Sequence, residues 1–258
     1  MLRVLLAALA AVLFLPSSLL SAAPSDRTPE TEPVRLETSD DQALFGEFFA
    51  PKGVRGKAQP VLMLHAPGSD RSTLTDLAEV LRKKKLAVLI LDLRGHGESA
   101  NEETDWSKLD EEQRANLWTY AIRDVQAAAA WLRKRDDIHS TSLSLVGVGA
   151  SSALAAHYSV SDSGVRSLMM LEPFVEELYG FNLQRSLWEL EGLPIRAIVS
   201  RARKADTEAK LTELELDGIV EIQAIKAEPS ALLTEARALR GLGEWVAEPA
   251  VVSERSKP

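Results

Sequence analysis

An α/β fold with a mostly parallel central sheet and helices on both faces is the architecture this sequence predicts. Three observations carry it. From Val61 onward, short apolar runs alternate with longer segments of helical period. Two of these runs, residues 61–65 and 87–92, are apolar up to a polar final residue, as strands buried on both faces must be. The 258 residues, 45% hydrophobic and 26% charged, suffice for one substantial core, and the chain carries no internal repeat and no interdomain linker.

Residues 34–38 and 43–50 read as an opening hairpin of antiparallel edge strands, with Asp40 and Asp41 in its turn and a Pro51 to Gly56 stretch ending it. Residues 61–65 and 87–92 are buried strands, and between them residues 74–85 place Leu74, Leu77, Val80 and Leu81 on one helical face. A polar stretch holding Asp105, Trp106 and Asp110 leads into residues 111–135. There Leu117, Tyr120, Ala121, Val125, Ala128, Ala129 and Leu132 recur at helical spacing, which predicts one long amphipathic helix. Strands follow at 142–147, 165–171, 194–200 and 220–225, with a helix at 150–158. Residues 174–192, with Phe181 and Trp188, are the material for a lid. A closing helix at 232–246 packs through Leu232, Leu239, Leu242 and Trp245, and residues 248–258 read as a flexible tail.

The domain so defined spans 34–247. Ahead of it, residues 1–23 carry Arg3, an apolar run at 4–15, and the small residues Ser21, Ala22 and Ala23 before Pro24; this is the layout of a secretory signal peptide, followed by a polar lead-in at 24–33. The stretch between Val4 and Ser25 is free of charge and long enough for an uncleaved anchor, but Pro16, Ser17 and Ser18 interrupt the run early and speak for cleavage after Ala23. The expected location is secreted or periplasmic, and no later segment reaches the roughly 18 charge-free apolar residues that a membrane helix needs.

Cysteine is absent, which removes disulfides, thiolate metal sites and a thiol nucleophile. The net charge of −8 becomes −9 once Arg3, the single charge in 1–23, is removed. That argues against a nucleic-acid partner, because phosphate contacts need clustered cations. Lys83, Lys84 and Lys85 read as the solvated end of a helix. The four histidines stand singly with no metal-ligand spacing, and no phosphate-binding glycine loop occurs, so neither a metal nor a cofactor is expected.

Three segments carry the chemistry. In VLMLHAPGSDRS, residues 61–72, a strand runs into a His-containing loop of small residues. In LDLRGHGES, residues 91–99, Gly95 and Gly97 permit a tight turn at a strand end. In SLSLVGVGASSALAAHYS, residues 142–159, a strand meets a helix through small residues only. Together they resemble the α/β-hydrolase family, in particular its dienelactone-hydrolase-like and serine-aminopeptidase-like members, and the element order extends the resemblance over about residues 34–247. The resemblance implies the α/β-hydrolase fold, an oxyanion-binding amide at Ala66 beside a structural His65, structural roles for Arg94 and His96, and a nucleophile elbow in the third segment.

The elbow pattern G-x-S-x-G can be placed in two registers. With Gly147 first, Gly149 stands at the nucleophile position and brings no side chain. Shifted by two, a G-x-S-x-A elbow makes Ser151 the nucleophile and requires a longer strand. A serine also needs a general base, and the family order puts that histidine after the last strand. No histidine follows His157, and the relevant loop reads Lys226, Ala227, Glu228, Pro229, Ser230. Asp206 is the candidate acid, a few residues late and among cations. His157, six residues beyond Ser151 on the same helix, is about 600° around it and faces elsewhere.

Two functions stay open at this point. One is a non-catalytic protein that keeps the cleft and binds a small-molecule or acyl ligand or acts as a scaffold; the absent serine and histidine favour it. The other is a serine hydrolase of esterase, thioesterase or peptidase type built on Ser151.

Overall fold

The computed structural model describes residues 31–248 apart from 176, 191, 217, 229–232 and 235. The leader, the lead-in up to residue 30, Leu232 and the tail beyond Glu248 lie outside the described residues. The strands are β1 (Thr31–Glu37), β2 (Ala43–Phe49), β3 (Gln59–Leu64), β4 (Leu86–Leu91), β5 (Leu143–Val148), β6 (Val165–Leu171), β7 (Ile195–Ser200) and β8 (Glu221–Ile225). The helices are α1 (Thr75–Lys83), α2 (Glu111–Thr119), α3 (Ile122–Arg133), α4 (Ser151–Ser161), α5 (Leu183–Glu189), α6 (Lys204–Glu213) and α7 (Ala236–Ala247). They form one sheet in the order β1-β2-β4-β3-β5-β6-β7-β8. The pairs β1/β2 and β2/β4 are antiparallel and the rest parallel, as predicted.

Period-two alternation divides the sheet's apolar residues between two cores. Val61, Met63, Val88, Ile90, Val146 and Met169 pack under Leu74, Leu77 and Leu81 at α1 and Leu239, Leu242 and Trp245 of α7. Leu62, Leu64, Leu89, Leu91, Leu145 and Met170 face the other way, onto Val125 and Leu132 of α3, Leu154 of α4, Leu187 of α5 and Leu211 of α6. All six residues of β4 are buried, which explains their unbroken apolar run.

Three sequence expectations need correction, and one helix, α6, was not expected. The lead-in is shorter than expected, because Thr31 to Pro33 already belong to β1. The single helix over 111–135 is two. Its chain tightens at the junction, where Tyr120 N–H donates to Leu117 O (3.2 Å) and Ala121 N–H to Trp118 O (2.9 Å). Trp118 and Asp124 must both point inward, to an aromatic cluster and to Arg94 respectively. On a straight helix they would stand about 120° apart, and a tighter turn brings them closer to one face. Tyr120, expected in the core, is 42% exposed and lies instead beside the Arg94 and Arg123 guanidinium groups. The segment 174–192 contains α5 and buries Phe181, Leu183 and Leu187. Finally, α6 buries only Thr207 and Leu211, too narrow a stripe to be read as helical period.

Helix α1 ends with Lys85 at φ +68°, in the left-handed region where glycine is the usual residue. Lys85→Gly is therefore expected to stabilise the fold by about 1 kcal/mol, read as a rise of a few degrees in Tm.

Candidate functional site

The site lies where the parallel strands end. The loop after β3 and the loop after β4 are tied together by two histidines. His65 Nδ1 donates to Ala66 O (2.8 Å) while Nε2 accepts from Leu93 N–H (3.0 Å). His96 Nδ1 donates to Arg94 O (2.9 Å) while Nε2 accepts from Gly68 N–H (2.9 Å). A carbonyl can only accept and an amide can only donate, so each ring is held neutral in the Nδ1–H form. Burial pushes His65 down to about 4 and lowers His96 as well. Asp92 adds a third tie, accepting from Arg71 N–H (2.8 Å), the Arg71 guanidinium and Glu98 N–H (2.9 Å). A Cβ on Gly97 would fall 2.3 Å from that carboxylate, so the turn needs glycine. Arg94 leaves the same loop to meet Asp124, and Gly95 turns with φ +80° against Thr104.

Both imidazoles are expected to show neutral Nδ1–H ¹⁵N signatures at about pH 6, where a free histidine is largely protonated. A His65 signal titrating at the ordinary 6.5 would contradict the bonding just described. The sign for stability follows. The unfolded chain binds more protons at this residue between its ordinary value and about 4, so the contribution of His65 is whole above 6.5 and is withdrawn as pH falls toward 4.

The bend between β5 and α4 falls on Gly149, at φ +58°. Its N–H donates to Leu171 O (2.9 Å), and its carbonyl accepts from Ser152 N–H (3.1 Å) and Phe174 N–H (3.3 Å). A Cβ there would meet only the Ala66 methyl, at 3.5 Å. Gly147 is the reverse case, because a Cβ would fall 2.6 Å from Ser151 O and 2.7 Å from Ser152 Cα. Strand and helix can cross this closely only over glycine. Ser151 is the first residue of α4 and fully buried, with its hydroxyl donated to His65 O at 2.5 Å. Ser152 is likewise buried and donates to Gly147 O (3.1 Å). Among the described residues, neither the Ala66 nor the Ala150 N–H donates to another backbone carbonyl. Ala150 directly follows Gly149 in the chain, and the Ala66 methyl lies beside it.

The other expected partners are not brought to the bend. Asp206, read as a loop residue, is in the first turn of α6 and exposed, and neighbouring Lys204 pairs with Glu208 (3.1 Å). His157 is exposed on α4 with its ring 5.3 Å from Phe181, and His139 is exposed in the loop before β5. After β8 the described chain offers Lys226, Ala227 and Glu228.

One residue that sequence reading missed does stand at the site. Glu172 directly follows β6 at φ +47°, an uncommon conformation for a non-glycine residue. Its carboxylate accepts from Ser200 N–H (2.6 Å) and pairs with Arg203 (3.2 Å), joining the ends of β6 and β7. An acid followed by Pro173 at the end of an apolar strand was the available signal. Nearby, a half-open groove of about 230 Å³ is lined by Val175, Glu177, Asn182, Gln184, Lys210, Glu213 and Leu214; neither Gly149 nor its flanking amides belong to it.

No protein-family model and no curated protein sequence matches the chain. Solved structures do. An esterase from Pyrococcus furiosus superposes with a TM-score of 0.64 at 17% identity, covering 84% of this chain and 90% of that one. Dienelactone hydrolase from Anabaena variabilis gives 0.64 at 18%, covering 85% and 97%. The esterase domain of a Rhodothermus marinus protein gives 0.61 at 12%, covering 84% and 96%. The chain thus has the α/β-hydrolase fold, in the strand order described above.

Proposed function

We propose that this is an exported protein of the α/β-hydrolase fold that has given up hydrolysis and uses the elbow to hold an acyl or carboxylate ligand. The single observation that carries the reading is Gly149 at the bend, where a nucleophilic side chain would have to stand. Acyl transfer needs a nucleophile and a base within hydrogen-bond reach of each other. Ser151 is buried with its proton on a backbone carbonyl, both nearby histidines are committed to backbone partners, and no histidine follows β8 in the sequence. What remains is a pair of flanking amides, Ala66 and Ala150, suited to the oxygen of a carbonyl or carboxylate. The leader at 1–23 supports export.

The purified protein is expected to take no fluorophosphonate label by intact mass, and medium-chain carboxylates are expected to raise its Tm. A ligand at about a hundred times its Kd adds roughly 2.7 kcal/mol. Labelling that disappears in Ser151→Ala would establish a serine hydrolase and overturn the proposal.

A further inference from the structure

The opposite end of the sheet gathers cations that lie apart in the sequence. Lys52 N–H donates to Arg82 O (3.1 Å), which sets the β2–β3 loop, with Lys52, Arg55 and Lys57, beside Lys83, Lys84 and Lys85 at the end of α1. Lys83 and Lys84 have only long ion pairs, to Glu79 (3.9 Å) and Glu244 (3.5 Å). Lys52, Arg55, Lys57 and Lys85 are exposed and have no acidic partner within ion-pair distance among the described residues. Glu79 and Glu244 lie beside Lys83 and Lys84, and Asp137 O accepts from Ala58 N–H (2.8 Å) next to Lys57, but the cations of this face outnumber these acids in a chain of net charge −8. Lys85 is moreover kept where glycine would relieve the backbone.

The chain also enters the fold here. Thr31 pairs with Phe49, three residues before Lys52, and Glu32 binds Arg135 (3.1 Å) at the end of α3.

We propose that this basic face docks on an anionic phospholipid bilayer, whose headgroup charge is complementary to its own. Clustered lysines near an anionic leaflet each strengthen partitioning about fivefold, and the attraction acts within a Debye length, about 10 Å at 0.1 M salt. A cluster of four unpaired cations on a loop and a helix end, without an aromatic anchor, fits a diffuse field of headgroups better than a protein hot spot.

The test is partitioning of the chain from Pro24 onward into vesicles of phosphatidylcholine alone and of phosphatidylcholine with about a third phosphatidylglycerol. Adsorption that does not depend on charge contributes to both, so the ratio isolates the face. Wild type is expected to bind the anionic vesicles on the order of a hundredfold better at about 0.1 M salt, the gain fading toward about 1 M. A Lys52→Gln, Arg55→Gln, Lys57→Gln, Lys85→Gln variant should lose most of the gain with its Tm nearly unchanged. A control carrying Lys108→Gln, Arg185→Gln, Lys204→Gln and Lys226→Gln should keep it. Equal binding to both vesicles, an equal loss in the control, or preferential binding of a short oligonucleotide through the same four cations would each overturn the proposal.

Discussion

Gly147→Ala is expected to lower stability by about 3 kcal/mol or more, a Tm loss near 10 °C for a domain of this size. The added methyl would overlap Ser151 O, Ser152 Cα and Ser151 C at 2.6, 2.7 and 2.8 Å, all of them backbone atoms that no rotamer change can move. Relief would require the start of α4 to lift from β5, and α4 is pinned by buried Leu154, Ala155 and Tyr158. Gly149→Ala, two residues on, should cost only about 1 kcal/mol, because its methyl finds ordinary contact with Ala66 and the penalty is that of the left-handed backbone. Chemical or thermal unfolding of the two variants checks the ordering. Equal losses would mean that the strand–helix crossing is looser than drawn.

Asp124→Ala should cost about 3 to 5 kcal/mol. Asp124 is completely buried and accepts from Arg94 at three atoms, N (2.9 Å), Nε (2.9 Å) and Nη2 (2.7 Å). Removing it leaves a buried guanidinium with only Asp40 at its outer edge (2.9 Å). Asp124→Asn keeps an acceptor and should cost less. Burial pushes the Asp124 carboxyl up to about 6 against the pull of Arg94. The folded protein therefore takes up this proton before the unfolded chain does. The contribution of Asp124 falls as pH rises from its ordinary value through about 6, opposite in sign to that of His65. Unfolding in the Asp124→Asn background would remove one of these slopes and expose the other.

All eight strands were legible because their signal is local: apolar runs bounded by Gly, Pro or polar turns. What escaped depended on partners distant in sequence. The break between α2 and α3 is dictated by the residues that Trp118 and Asp124 must reach, on the loop after β4. Glu172 looks like any strand-ending acid until Ser200 and Arg203 close on it. The sequence allowed two registers for the elbow pattern, and the tight fit at Gly147 depends on how closely α4 crosses β5, which no local signal reports. The lysine triplet 83–85 does form the solvated end of α1, but nothing local joins it to Lys52.

The bend at Gly149 and the basic face stand at opposite ends of the same parallel strands, and β3, six residues long, sets them about 20 Å apart. Substitutions at the two ends share no neighbours, so their free-energy effects should sum to within a few tenths of a kcal/mol, and the molecule can be edited at either pole as though the other were not there.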